Sequence, residues 1–110
     1  MSDILDRMVF DDLIEHIGAE AAQAIVELFI GECRELVAAI GAPGATHDVA
    51  RRAAHSLKSS AGQLGAAALA EAALAVEAAG ETGAADLPAR IRSLTDCAAH
   101  TEAALAAMLQ

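Results

Sequence analysis

Apolar residues recur every three or four positions along most of the chain. That is the period of a helix with one buried face. Phe10, Leu13, Ile14 and Ile17 mark a short first helix that ends at Gly18. From Ala19 to Ile40 the positions Ile25, Phe29, Cys33, Leu36 and Ile40 keep this spacing, until "GAPG" at 41–44 breaks it. Thr46 suits the N-cap of a third helix, with Asp48 in its first turn. That helix is predicted from about His47 to Leu64, with Gly65 as its stop. A fourth runs from about Ala66 to Ala79, before "GETG". Asp86 is expected to cap the fifth, with Pro88 in its first turn. Ile91, Leu94, Ala98, Thr101, Leu105 and Met108 then carry it to the C-terminus. One short helix and four longer ones, joined by brief connections, predict an all-α, antiparallel four-helix bundle.

On the third helix the expected apolar stripe is Val49, Ala53, Leu57, Ala61 and Leu64. His55 lies two residues from both Ala53 and Leu57, about 200° around the helix from each. It therefore faces away from the core, on one outward stripe with Lys58, Ser59 and Gly62 at i+3, i+4 and i+7. An interior glycine costs a helix roughly 1 kcal/mol relative to alanine. Here Gly62, with Ser59, leaves the surface beside the imidazole low and open to another protein.

Composition supports the helical reading. Of 110 residues 55% are apolar, but thirty of them are alanine, and two phenylalanines are the only aromatics. The length suits a single domain spanning residues 1–110. A net charge of −9 argues against a nucleic-acid partner and against an anionic membrane surface. No apolar run approaches the ~18 residues of a membrane span, and "MSDILDRM" lacks a signal-peptide pattern, so a cytoplasmic setting is expected. Cys33 and Cys97 match no metal spacing and read as reduced, packed residues. One window departs from the average. Between Val49 and Ala70 there is no Asp or Glu, while Arg51, Arg52 and the sole lysine, Lys58, all fall there. The window carries +3 and the remainder −12. A basic island in an acidic chain suggests a site that meets an anion.

A neutral imidazole nitrogen is a nucleophile, and much of a typical histidine is neutral at pH 7. His55 could accept a phosphoryl group, with Lys58 near enough to offset its charge. The chain shows no glycine-rich phosphate loop and no carboxylate cluster for Mg²⁺, so donor and acceptor would both be other proteins. The alternative is an exposed histidine without a task; the basic, small-residue surroundings weigh against it. A metal-binding bundle would need Glu-x-x-His pairs on facing helices. None is present, and Asp96, Cys97 and His100 lack a partner set. His16, His47 and His100 look ordinary. A docking module with a vestigial histidine is the third reading.

"AHSLKSSAGQLG", residues 54–65, resembles the motif of the histidine-containing phosphotransfer (HPt) domains of phosphorelays. That motif has a His, a Lys three residues on, small residues next, and a Gly ten residues after the His. Here these are His55, Lys58, Ser59, Ser60 and Gly65. "DILDRMVFDDLIEHIG" and "VELFIGECRELVAAI" resemble the family's opening segment and first long helix. Ser59 stands where the family often has Gly. The resemblance implies an antiparallel four-helix bundle with a short N-terminal helix capping one end. It also implies a phosphoryl carrier, not an enzyme with its own ATP site, and expected to be monomeric. His55 would receive phosphate from a receiver-domain aspartate or a sensor (hybrid) histidine kinase and pass it to another receiver aspartate. No cofactor is implied for this chain; the Mg²⁺ would sit on the receiver partner. The resemblance further implies a polar residue twenty-two positions after the His, here Glu77, that orients the imidazole. Read from the sequence alone, Glu77 could equally be a solvated glutamate.

Docking should need apolar surface besides His55, Ser59 and Gly62. The first helix and a second stripe of the second helix, Val26, Ile30 and Val37, are more apolar than solvated faces need. Core packing explains part of this equally well. Ile14, Ile17, Ile30 and Leu74 are the candidate docking residues.

Overall fold

A computed structural model describes residues 4–109. The expected helices form: α1 Arg7–Ile17, α2 Ala19–Ile40, α3 His47–Leu64, α4 Ala67–Thr82 and α5 Leu87–Met108. Helices consecutive in the chain pack on each other, and α2 meets α5 to close a ring of four. The short α1 touches only α2 and α3.

The local signals at the ends explain most boundaries. Asp6 caps α1, its carboxylate accepting from the N–H groups of Met8 and Val9. Thr46 caps α3 through the Val49 N–H at 3.1 Å. Gly18, at φ +86°, turns the chain from α1 directly into α2. Two boundaries differ from expectation. Helix α4 runs on through Gly80 to Thr82 and ends at Gly83 in the left-handed region, so the first glycine of "GETG" is interior and the second is the stop. Asp86 holds the cap position of α5 but no N–H there bonds its side chain. Its carboxylate accepts instead from Arg90 Nε at 2.7 Å, one turn on.

The core faces also differ in phase. On α3 the buried positions are Ala50, Ala54, Leu57, Ala61 and Leu64, while Val49 is exposed and Ala53 half-buried. The expected stripe drifted because four-residue steps advance 400°, whereas alternating steps of four and three stay on one line. On α2 the buried set is Ala22, Val26, Phe29, Cys33 and Ile40; Ile25 is exposed and Leu36 half-buried. Val26 is wholly buried and so leaves the proposed second stripe. On α5, Leu94, Ala98, Thr101 and Leu105 are buried as expected. No helix is long and apolar enough to cross a membrane among the described residues.

Gly65 ties the bundle to its N-terminal segment. It stops α3 at φ +81°, and its carbonyl accepts from the Asp6 N–H at 2.6 Å. A Cβ there would lie 2.9 Å from the Asp6 carbonyl oxygen and 3.0 Å from Val9 Cβ. Backbone conformation and close approach both require glycine. Gly65→Ala is expected to destabilise the fold by about 2 kcal/mol or more. Urea unfolding of the variant checks this; an unchanged midpoint would contradict it.

Candidate functional site

Helix α3 presents His55 outward, with its side chain 59% exposed. The neighbouring helix supplies its partner. His55 Nδ1 lies 2.5 Å from Glu77 Oε2, and the other carboxylate oxygen, Oε1, accepts from Lys58 Nζ at 2.8 Å. Glu77 is the most enclosed of the three, 15% exposed. A carboxylate only accepts, so Nδ1 is the nitrogen that carries a proton toward Glu77, and in the neutral ring the lone pair then lies on Nε2. The Lys58 hydrogen bond holds the Glu77 carboxyl below the usual glutamate range; partial burial opposes this and the His55 contact assists it.

The placement follows from the seam between α3 and α4. Ala50, Ala54, Ala61, Ala73, Ala79 and Gly80 are buried, and a Cβ on Gly80 would lie 3.2 Å from the His47 carbonyl oxygen. Backbones this close bring a short glutamate within reach of a histidine on the next helix. Ser59 and Gly62 are exposed, and a Cβ on Gly62 would meet nothing within 4 Å. Lys58 is not free beside the ring: its ammonium is engaged by the carboxylate that also holds the imidazole.

The docking candidates do not form one patch. Ile17 and Leu74 are exposed, whereas Ile14 and Ile30 are half-buried against the core. Leu74 lies on α4, which α1 does not touch. A groove of ≈ 270 Å³ that sequence reasoning missed runs between α1, α2 and α3. Leu13, Ile25, Leu28 and Phe29 form its apolar part and Ser60 and Gln63 its α3 edge. Leu28 is 74% exposed. The Ser60 hydroxyl donates to Glu32 Oε1 at 2.7 Å across the groove. The Ile25, Leu28, Glu32 spacing of one outward α2 face was the available signal.

His16 and Cys33 take no part in this arrangement. His16 Nδ1 lies 2.7 Å from the Asp12 carbonyl oxygen within α1. Burial pushes the Cys33 thiol up to about 11, which makes it a poor nucleophile at neutral pH. Among the described residues no three His, Cys, Asp or Glu side chains gather as a metal site would require.

Residues 24–110 match the family model of the Hpt domain. The chain superposes on the crystal structure of histidine-containing phosphotransfer protein B (HptB) from Pseudomonas aeruginosa PAO1 with a TM-score of 0.91. Identity is 21%, covering 100% of this chain and 97% of that one, a likeness of fold. No curated protein sequence matches significantly.

The lowered Glu77 pKa fixes a sign. Its contribution to stability is complete above the unfolded glutamate value of about 4.3 and is lost as pH falls through the lower folded value. Glu77→Gln should therefore be less stable than wild type at neutral pH, with the gap closing below about pH 4. Urea midpoints across pH 3–7 test this; a gap that stays constant would refute it.

Proposed function

The chain belongs to the Hpt domain family of phosphorelay phosphotransfer proteins, and we propose that residues 1–110 form one such domain with His55 as the phosphorylated residue. The observation that carries this reading is the Nδ1 contact with Glu77, which in the neutral ring puts the lone pair on Nε2, on an open face. Nε2 attacks the phosphorus of a receiver's aspartyl phosphate. An N–P bond forms as the P–O bond to the aspartate breaks, and the aspartate leaves as carboxylate. The ring becomes an imidazolium whose Nδ1–H remains on Glu77, so its positive charge has a carboxylate beside it. Attack by a second receiver's carboxylate runs the same step in reverse. No proton has to leave at either stage.

In this reading Lys58 offsets phosphoryl charge from one turn away, and the Mg²⁺ of transfer belongs to the receiver. Ser59 and Gly62 keep the approach low. Ile14, Ile17, Ile30 and Leu74 are proposed to contribute apolar contact, together with the Leu28 groove. The partners are receiver domains and a sensor kinase, and the carrier has no ATP chemistry of its own.

His55→Gln should fold normally and take no acid-labile phosphate from a phosphorylated receiver domain; labelling of that variant elsewhere would overturn the assignment. Mg-ATP alone should leave the purified protein unlabelled. Lys58→Ala should slow transfer in at least one direction.

Gly62 separates access from chemistry. Gly62→Ala should gain roughly 0.5–1 kcal/mol from helix propensity, since the site is open and its φ is not positive. Gly62→Leu should remain folded and still label with phosphoramidate. Its transfer from a receiver should fall about 10²-fold, as a displacement of ~1 Å from in-line geometry allows. Wild-type transfer by Gly62→Leu would show that the glycine has another purpose.

A further inference from the structure

Two arginines precede His55 on α3, Arg51 at i−4 and Arg52 at i−3. Neither is used by the contacts described so far. Both are held by one carboxylate: Asp48 Oδ1 lies 2.9 Å from Arg51 Nη2, and Asp48 Oδ2 lies 3.0 Å from Arg52 Nε. The Asp48 carboxyl is held below its usual range by the Arg51 hydrogen bond first and then by the charges of Arg52 and Arg51.

Helical side chains lean toward the N-terminus, over the preceding turn. The imidazole of His55 therefore leans over the turn that carries Arg51 and Arg52, while Lys58 leans toward His55 from below. Lys58 is already bound to Glu77, and Glu77 holds the opposite nitrogen from the one left free. A dianion on Nε2 would point away from Glu77, toward solvent. The cations on the turn over which the ring leans are the two arginines, whose shared carboxylate belongs to their own helix and not to the imidazole.

The two are not equivalent. Arg51 is confined on the α4 side: its Cβ would stand 3.3 Å from a Cβ on Gly80, and Glu77 and Glu81 both act on its charge. Its side chain is 36% exposed, against 75% for Arg52. Arg52 meets Asp48 through Nε at 3.0 Å, and among the described residues no other carboxylate lies within ion-pair distance of it. An exposed i,i+4 pair is weak, so release from Asp48 opposes little. The freed guanidinium presents a planar fork that matches phosphate oxygens.

We propose that Arg52 is a positioning arm for the phosphoryl group, latched on Asp48 while His55 is free and transferred to the phosphoryl oxygens once His55 carries them. This rests on His55 being the phosphorylated residue. Asp48 then acts as the competitor that keeps the arm parked, retaining Arg51 when Arg52 leaves. The exchange places a cation on each side of the phosphorylated ring along the helix, Lys58 one turn after and Arg52 one turn before.

The test uses the whole chain labelled with phosphoramidate, which transfers its phosphoryl group to Nε2 as its own P–N bond breaks and ammonia leaves. Phosphorus NMR then follows the second ionisation of the phosphohistidine with pH. A unit charge removed from contact distance, ~4 Å, in water changes such an equilibrium about fivefold. Arg52→Ala should weaken the phosphoryl acidity constant by about that factor, and Arg51→Ala by less. Arg52→Lys should restore much of the effect, and Asp48→Asn should strengthen the acidity. Far-ultraviolet dichroism should be unchanged in Arg52→Ala. An identical titration for wild type and Arg52→Ala overturns the arm, as does a larger effect from Arg51→Ala. The underlying reading fails separately: wild type that takes no label, or His55→Gln that labels equally, removes His55 as the acceptor and the arm with it.

Discussion

The close approach of α3 and α4 is the constraint on which the site depends. Glu77 has a short side chain and sits on a different helix from both residues it binds. It reaches them because the seam is built from alanines, with Gly80 against the backbone of His47. A larger residue there would push the helices apart, and the first contact to lengthen would be the one that leaves Nε2 free. The abundance of alanine is thus a property of the site as much as of helix propensity. It also explains how so few large side chains suffice: small residues let backbones themselves fill the interior.

A second set of contacts fixes the ends of these helices. Asp6 caps α1 with its carboxylate and meets the Gly65 carbonyl with its backbone N–H. Thus one residue orients α1 and secures the turn between α3 and α4. The motif glycine ten positions after His55 makes no contact with the imidazole. Its requirement is mechanical: the chain crosses over it at a distance no side chain would permit. A short sequence motif can therefore combine reactive and purely steric members.

Much of this was legible in the sequence, and for definite reasons. Helix number followed from punctuation by Gly18, "GAPG", Gly65 and "GETG", whose conformational demands are local. The outward direction of His55 followed from angle counting on one helix. The phase of the α3 stripe did not, because Val49 is larger and more apolar than Ala50, and yet Ala50 is the one pressed against a neighbour. In an alanine seam, hydrophobicity no longer tells which position is inside. Lys58 was placed near His55, but its bond to Glu77 depends on the distance between two helices, which no spacing within either encodes. The groove beside Leu28 was missed although Ile25, Leu28 and Glu32 share an outward face of α2, because its other walls come from α1 and α3.

The alanine seam has one more consequence, for how the site responds to heat. Alanine has no side-chain rotamers, so the spacing of the two helices can change only if the backbones themselves move. His55 and Glu77 do have rotamers, and the imidazole is 59% exposed. Warming should therefore loosen the imidazole–carboxylate contact by side-chain motion first, while the backbone gap it spans stays fixed until the bundle melts. The site would then lose its order before the fold does, and regain it on cooling without refolding.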